Sequence, residues 1–383
     1  MSSERTQPAS ALPADPAELA RRQANRLNLD YVSEAARLGP PVVPIIDAHV
    51  HVNGSEAPAV FADVMDLFGI ERVYSQTQLV HADAVRAILG DRVRFVAIPE
   101  YGSTDLKHAL TEGFLEALEI WHTRYGARCV KLWAAPRMLD YAEQSGLDPG
   151  EVVPVDGLWR RRIADRAVEL GMMLMTHVGD PDTWFQTTYA DSARYGTKLN
   201  QYVALERMLD AYPVPFLAAH MGGWPEDLDF LTGLLLRHDN LILDTSATKW
   251  MVRELSKHPR DKLVGFLRRF EGRILFGSDI VVSDEHLRSS GPNAVRFGAQ
   301  LASSRRDAFD LYASRYWAFR TMFETAYDGE SNIADPDLAR VDPVGHDALS
   351  APRLVGRALP AEMLEVLYRR AAERTIERQY DAE

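Results

Sequence analysis

His49 and His51 stand one residue apart at the end of the run Val42-Val43-Pro44-Ile45-Ile46-Asp47-Ala48-His49-Val50-His51. An apolar run bounded by a proline reads as a buried strand, and residues two apart on a strand share a face. Asp47, His49 and His51 therefore point the same way. Two imidazoles close together on one face can grip one ion, and neutral imidazole suits zinc and other divalent first-row metals. Taken alone, the pair reads equally well as core or rim histidines with satisfied rings.

Further polar residues close later apolar runs: Lys131 after Cys129-Val130, His177 after Met172-Met173-Leu174-Met175-Thr176, and His220 after Phe216-Leu217-Ala218-Ala219. Asp244 follows Leu241-Ile242-Leu243, and Asp279 follows Ile274-Leu275-Phe276-Gly277-Ser278. Each has an ordinary explanation by itself, such as a hydrogen bond to a neighbouring carbonyl or the cap of a turn. Their recurrence at matching positions is hard to obtain by chance.

The elements that must position them follow one rhythm. Strand-like runs fall at 42–51, 72–76, 93–99, 129–133, 172–177, 215–220, 241–245 and 273–279. Helix-like runs follow at 59–68, 82–89, 105–125, 158–170, 199–212, 225–238, 250–270 and 307–324, with Pro225 expected in a first turn and a break near Pro259. The strands are short and apolar throughout, as buried parallel strands are. Eight such units over 42–327 match one (β/α)8 TIM barrel of about 250 residues with insertions, and active sites of that architecture sit at the C-terminal ends of the strands. The fold class is therefore α/β, with residues 1–41 an N-terminal arm, 42–327 the barrel and 328–383 a C-terminal helical and loop extension. In that extension, 328–359 reads as an extended loop and 360–374 as a closing helix.

The chain has 383 residues, a net charge of −12 and one cysteine, Cys129. No intrachain disulfide can form, and the acidic balance argues against nonspecific nucleic-acid or anionic-membrane binding. Residues 1–30 lack the apolar core of a signal peptide, and no run approaches the ~18 apolar residues of a membrane span. A cytoplasmic protein acting on a small molecule is the expectation, with the arm and the extension available for a homodimer contact.

The motifs Ile46-Asp47-Ala48-His49-Val50-His51, Thr176-His177, Ala219-His220-Met221-Gly222-Gly223, Leu243-Asp244-Thr245-Ser246 and Leu275-Phe276-Gly277-Ser278-Asp279 resemble the amidohydrolase superfamily. Within it, the likeness is to the amidohydrolase-related (amidohydrolase-2) branch of metal-dependent hydrolases and decarboxylases, over residues 42–327. The resemblance implies a barrel with His49, His51, His177 and Asp279 around one divalent metal, zinc or alternatively manganese. It also implies His220 close by, as a second-site ligand or as the residue that handles the proton of a bound water. By its chemistry Asp279 can accept a proton from that water, and His220 can polarise a carbonyl or relay a proton. A metal in such a set lowers the pKa of a water towards ~7. Some members of the superfamily carry a carboxylated lysine at the end of strand four that bridges a second metal. Lys131 sits there, and alternatively pairs with a substrate carboxylate, Asp244 or Glu100.

The loop 178–198 is long and holds Trp184, Phe185, Tyr189 and Tyr195, which suits either an aromatic substrate or packing onto the barrel. Lys131, Lys249, Trp184 and Tyr195 are the expected substrate contacts, while Arg137 reads as a solvated charge. The resemblance implies a metal-dependent hydrolase in which a metal-activated water attacks an amide, lactone or related carbonyl of a small metabolite, aromatic or carboxylated. The first alternative is a nonoxidative decarboxylase similar to aminocarboxymuconate-semialdehyde decarboxylase. The others are a metal-free lactonase and a noncatalytic metal-binding barrel.

Overall fold

The strands form because β-branched and long apolar side chains fill both faces of each run. In the computed structural model, which describes residues 12–13, 15–288 and 301–381, they are β1 (Ile45–Val52), β2 (Ile70–Ser75), β3 (Val93–Phe95), β4 (Cys129–Ala134), β5 (Met173–Val178), β6 (Phe216–Ala218), β7 (Leu241–Asp244) and β8 (Ile274–Leu275), continued by β9 (Ile280–Val282). All neighbours pair in parallel, in the orders β3-β2-β1-β9 and β4-β5-β6-β7-β8.

Two seams close these sheets into one (β/α)8 barrel. A parallel bridge between Ala97 and Val130 joins the continuation of β3 to β4. On the other side, the Ala48 amide donates to the Phe276 carbonyl (2.9 Å) and the Asp279 amide to the His49 carbonyl (2.8 Å).

The barrel interior is filled by Ile46, Ala48, Tyr74, Val96, Cys129, Met173, Met175, Leu217, Ala219, Ile242 and Leu275. Val366, Ala371, Ala372 and Ile376 of the C-terminal extension join the same cluster, with Tyr380 against it. Tyr380 donates its hydroxyl to the Phe95 carbonyl (2.6 Å), and Glu377 accepts from Tyr74 (3.3 Å) and Arg72. The extension thus packs on the barrel interior below the layer from which the histidines emerge.

Several elements differ from the sequence reading. The expected helix 105–125 is two, Leu106–Ala109 and Glu112–Tyr125, because the Thr111 hydroxyl turns back to the Lys107 carbonyl (2.6 Å) and the chain leaves helical geometry there. Pro225 is not in a first turn. The helix is Leu228–Arg237, and Asp227 caps it by accepting the amides of Asp229 (3.1 Å) and Phe230 (2.9 Å). The stretch 328–359 is more ordered than its composition suggests. It holds the antiparallel pair β10 (Asp328–Glu330) and β11 (Arg353–Val355), with the helix Pro336–Val341 between them.

In the arm, Pro16–Ala24 and Tyr31–Leu38 form separate helices with their own Asp15 and Asp30 caps. The second lies on the helix Arg305–Glu324, where Trp317 Nε1 donates to Glu34 Oε2 at 2.7 Å. Among the described residues no helix is long and apolar enough to cross a membrane.

Candidate metal centre

An irregularity in β1 between Asp47 and Val50 brings His49 and His51 to the side of the interior residues Ile46 and Ala48. Asp47, expected on the histidines' face, turns instead to the Tyr316 hydroxyl of the helix Arg305–Glu324. Asp279 reaches them because the chain bends sharply after β8: Asp279 has φ +59°, a left-handed value that costs a non-glycine residue energy. His49 Nε2, His51 Nε2 and Asp279 Oδ1 lie within 4.8 Å of one another. Asp279 Oδ1 is 3.4 Å from His49 Nε2 and 3.2 Å from His51 Nε2. Two imidazole nitrogens and one carboxylate oxygen at this spacing fit a divalent cation of the zinc or manganese kind.

His220 and Met221 also take left-handed values, φ +58° and +51°, directly after β6. This turn directs the His220 amide to Asp244 Oδ1 (2.8 Å) and sets the His220 ring 5.0 Å from that of His49. Gly223 completes the turn at φ +78°, where a Cβ would overlap the Val178 carbonyl at the end of β5, so only glycine fits. His177 stands one ring further out. It lies 4.7 Å from His220, ring to ring, and its Nε2 is 3.0 Å from Asp180 Oδ1. It is not in the tight group with His49, His51 and Asp279.

Lys131 enters from β4, fully enclosed. Its ammonium donates to His49 Nε2 (2.9 Å) and Gln76 Oε1 (2.5 Å), not to Glu100. Burial pushes its pKa down to about 8, against the opposing charges of Asp279 and Asp244. Burial likewise pushes His51 down to about 4 and His220 well below the usual histidine range. Burial works to raise Asp279, but the His51 hydrogen bond and the charges of His49 and His220 hold it well below the carboxylate range.

Of the expected substrate contacts, Lys131 alone hydrogen-bonds the cluster among the described residues. Trp184 donates Nε1–H to Asp337 of the C-terminal extension (2.9 Å), and Tyr195 donates its hydroxyl to Asp140 (3.1 Å). Lys249 sits among the charges of Arg315, Asp335, Asp337 and Arg253. Arg137 is exposed, as read from the sequence.

Four further residues hold the cluster: Asp244, expected as one alternative partner of Lys131 but found on His49, with Ser246, Asp180 and Gln76. Asp244 gave a signal, since it closes β7 as Asp279 closes the β8 stretch. Ser246 lies in the motif Leu243-Asp244-Thr245-Ser246 without a role of its own, and Asp180 and Gln76 gave no signal, because which imidazole edge or ammonium they meet is set across strands. The aromatic wall beside His177 also comes from β4: the Trp133 ring lies 6.3 Å from His177, edge-on, and 5.5 Å from Tyr141.

Residues 46–309 match the family described as Amidohydrolase. The chain belongs to the amidohydrolase superfamily, in its amidohydrolase-2 branch. No curated protein matches the sequence.

Similar solved structures include an apo protein of Agrobacterium tumefaciens, 15% identical over 86% of this chain and 97% of that one, with a TM-score of 0.40. The 2,6-dihydroxybenzoate decarboxylase from Rhizobium is 12% identical, over 70% of this chain and 98% of that one, with a TM-score of 0.38. The 5-carboxyvanillate decarboxylase from Novosphingobium aromaticivorans, complexed with manganese and 4-hydroxy-3-methoxy-5-nitrobenzoic acid, is 11% identical over 88% and 96%, with a TM-score of 0.41.

Proposed function

We propose that this amidohydrolase is a metal-dependent hydrolase that adds water to an amide, lactone or related carbonyl of a small metabolite. The observation that carries the reading is the convergence of His49 Nε2, His51 Nε2 and Asp279 Oδ1 within 4.8 Å. His49, His51 and Asp279 would hold one divalent ion, zinc or manganese, with His177 completing the set. Such an ion acidifies a water and polarises a carbonyl. Asp279 then accepts a proton from the attacking water, and His220, 5.0 Å from His49 ring to ring, relays a proton at the carbonyl oxygen or leaving group. The catalytic unit in this reading is 42–327, with 1–41 and 328–383 as arm and extension.

One observation favours a second reading, a nonoxidative decarboxylase. The Lys131 ammonium is enclosed beside His49 with an uncharged amide, Gln76, as its acceptor, so it is placed to bind a substrate carboxylate. The deciding experiment is metal analysis of the purified protein and of a His49→Ala/His51→Ala variant, followed by a screen of lactones, amides and carboxylated aromatics. About one ion per chain, absent from the variant, with acid release in the screen supports the hydrolase. Carbon dioxide release selects the decarboxylase. No metal uptake even after incubation with zinc or manganese removes both.

A further inference from the structure

Asp244 lies at the end of β7, fully buried, and gathers four donors. Its Oδ2 is 2.8 Å from His49 Nδ1. Its Oδ1 accepts the amides of His220 (2.8 Å) and Ser246 (3.0 Å) and also meets the Ser246 hydroxyl. The Ser246 Oγ is in turn 2.7 Å from His220 Nδ1.

A carboxylate surrounded by four donors is an acceptor only. His49 must therefore carry its proton on Nδ1, which leaves Nε2 with a lone pair. A second contact agrees independently: the Lys131 ammonium, which can only donate, is 2.9 Å from His49 Nε2. The same count fixes the other side. Ser246 has one hydroxyl hydrogen, and the carboxylate oxygen takes it, because two oxygens in such contact repel without a proton between them. Ser246 Oγ can then only accept from His220, so His220 carries its proton on Nδ1 and keeps a lone pair on Nε2.

We propose that Asp244 and Ser246 form a relay, His49–Asp244–Ser246–His220, that fixes the ring tautomers of both histidines together. Ser246 is thus a positioning residue, acting on His220 through one hydroxyl. Its consequence for catalysis rests on the hydrolase reading above, but the tautomers do not. A histidine that binds a cation or takes a proton through Nε2 needs that nitrogen unprotonated, and the outer partner that sets this is worth about 10–100-fold in metal affinity. The left-handed turn at His220 belongs to the same device, since it brings the His220 amide to Asp244 and the ring to Ser246.

The test is two-bond proton–nitrogen correlation spectroscopy of the full chain labelled with 15N-histidine, metal-stripped, at a pH where the rings are neutral. The His49 and His220 signals are identified as those lost in His49→Ala and His220→Ala. Both rings should show the Nδ1–H pattern. Ser246→Ala should move His220 alone to the Nε2–H form or a mixture, and Ser246→Thr, which restores a hydroxyl, should return it. Asp244→Asn should weaken zinc or manganese binding about 10–100-fold.

An Nε2–H pattern for His220 in the wild-type protein overturns the proposal, whatever the variants do. So does an unchanged His220 signal in Ser246→Ala. Failure of the metal reading looks different: the tautomers are as stated, and no ion binds.

Discussion

The Tyr316 hydroxyl donates to Asp47 Oδ2 at 2.9 Å, while Asp47 Oδ1 accepts the amides of His49 and Ser278, each at 3.0 Å. One fully buried carboxylate thus ties three pieces together: the helix Arg305–Glu324, the strand carrying both histidines, and the bend that delivers Asp279. Tyr316→Phe keeps the ring and removes only the donor. The variant should lose about 1–3 kcal/mol of stability, the cost of leaving a buried acceptor short of a partner. Urea denaturation measures it, and an unchanged midpoint would mean the two amides satisfy Asp47 alone.

The tight group of His49, His51 and Asp279, with His177 one ring away, makes an ordering testable. His51→Ala should weaken zinc binding by more than the roughly 100-fold that loss of an outer partner brings. His177→Ala should weaken it less and retain measurable stoichiometric binding. Calorimetric titration of both variants checks this, and the reverse order would place His177 at the heart of the set.

Arg253 is buried with three carboxylates. It donates Nε–H to Glu254 (2.6 Å) and Nη1–H to Asp335 and Asp337 (3.3 Å to the latter). Asp337 also takes the Trp184 indole, so this one guanidinium links the helix after β7, the loop after β5 and the C-terminal extension. Arg253→Met removes the guanidinium from the buried Asp335, while Glu254 keeps Lys257 (2.8 Å) and Lys249 stays among the other acids. It should therefore cost ~3 kcal/mol, the low end for a broken buried pair. A fall in the unfolding midpoint, with faster proteolysis within 179–198, is the expected result. Unchanged stability would show that these acids are neutralised by other means.

The barrel was legible because both faces of each strand are buried, so apolar runs such as Leu241-Ile242-Leu243 declare themselves without long-range information. Ligand candidates were legible for a related reason: a polar residue closing such a run stands at the strand's C-terminal end. What the sequence could not carry is the pairing between strands. That Asp244 meets His49 rather than Lys131, that Gln76 takes the lysine, and that Trp184 turns to Asp337 are settled by register and by chain segments far apart in sequence. The break at Thr111 and the start at Leu228 are not carried by periodicity: at Thr111 the hydroxyl returns to the Lys107 carbonyl where the backbone leaves helical geometry, and at Leu228 the Asp227 carboxylate caps the helix.

Asp284 pins the turn that follows β1. Its carboxylate accepts the amides of Ser55 (2.8 Å), Glu56 (2.9 Å) and Ala57 (2.8 Å), and Gly54 is required there because a Cβ would run into it. Burial works to raise this carboxyl, and those amides outweigh it, so its pKa lies below the ordinary value. A depressed folded-state value means the native protein binds fewer protons than the unfolded chain. The stabilisation is therefore present above about pH 4 and is lost as pH falls through the folded value. Asp284→Asn should be less stable than the wild type at pH 7, with the gap narrowing towards pH 3. A gap independent of pH would assign the effect to shape rather than charge.

Replacing Lys131 tests how many ions the site would take. Its ammonium donates to His49 Nε2, the same lone pair that a metal needs, and it brings a positive charge to that spot. Replacing it with the uncharged Lys131→Met removes a competitor and a repulsion together. Two like charges a few ångströms apart repel by several kcal/mol at the effective dielectric of a protein interior. Even if most of that is relaxed by movement of the flexible side chain, binding of a single zinc should tighten at least about tenfold, a free-energy change of about 1.4 kcal/mol. A carboxylated Lys131 that bridges two ions behaves oppositely: Lys131→Met would then lose one of two metals per chain. Metal titration and intact mass of both proteins, with and without bicarbonate, separate the two, because carboxylation adds mass to the wild type alone.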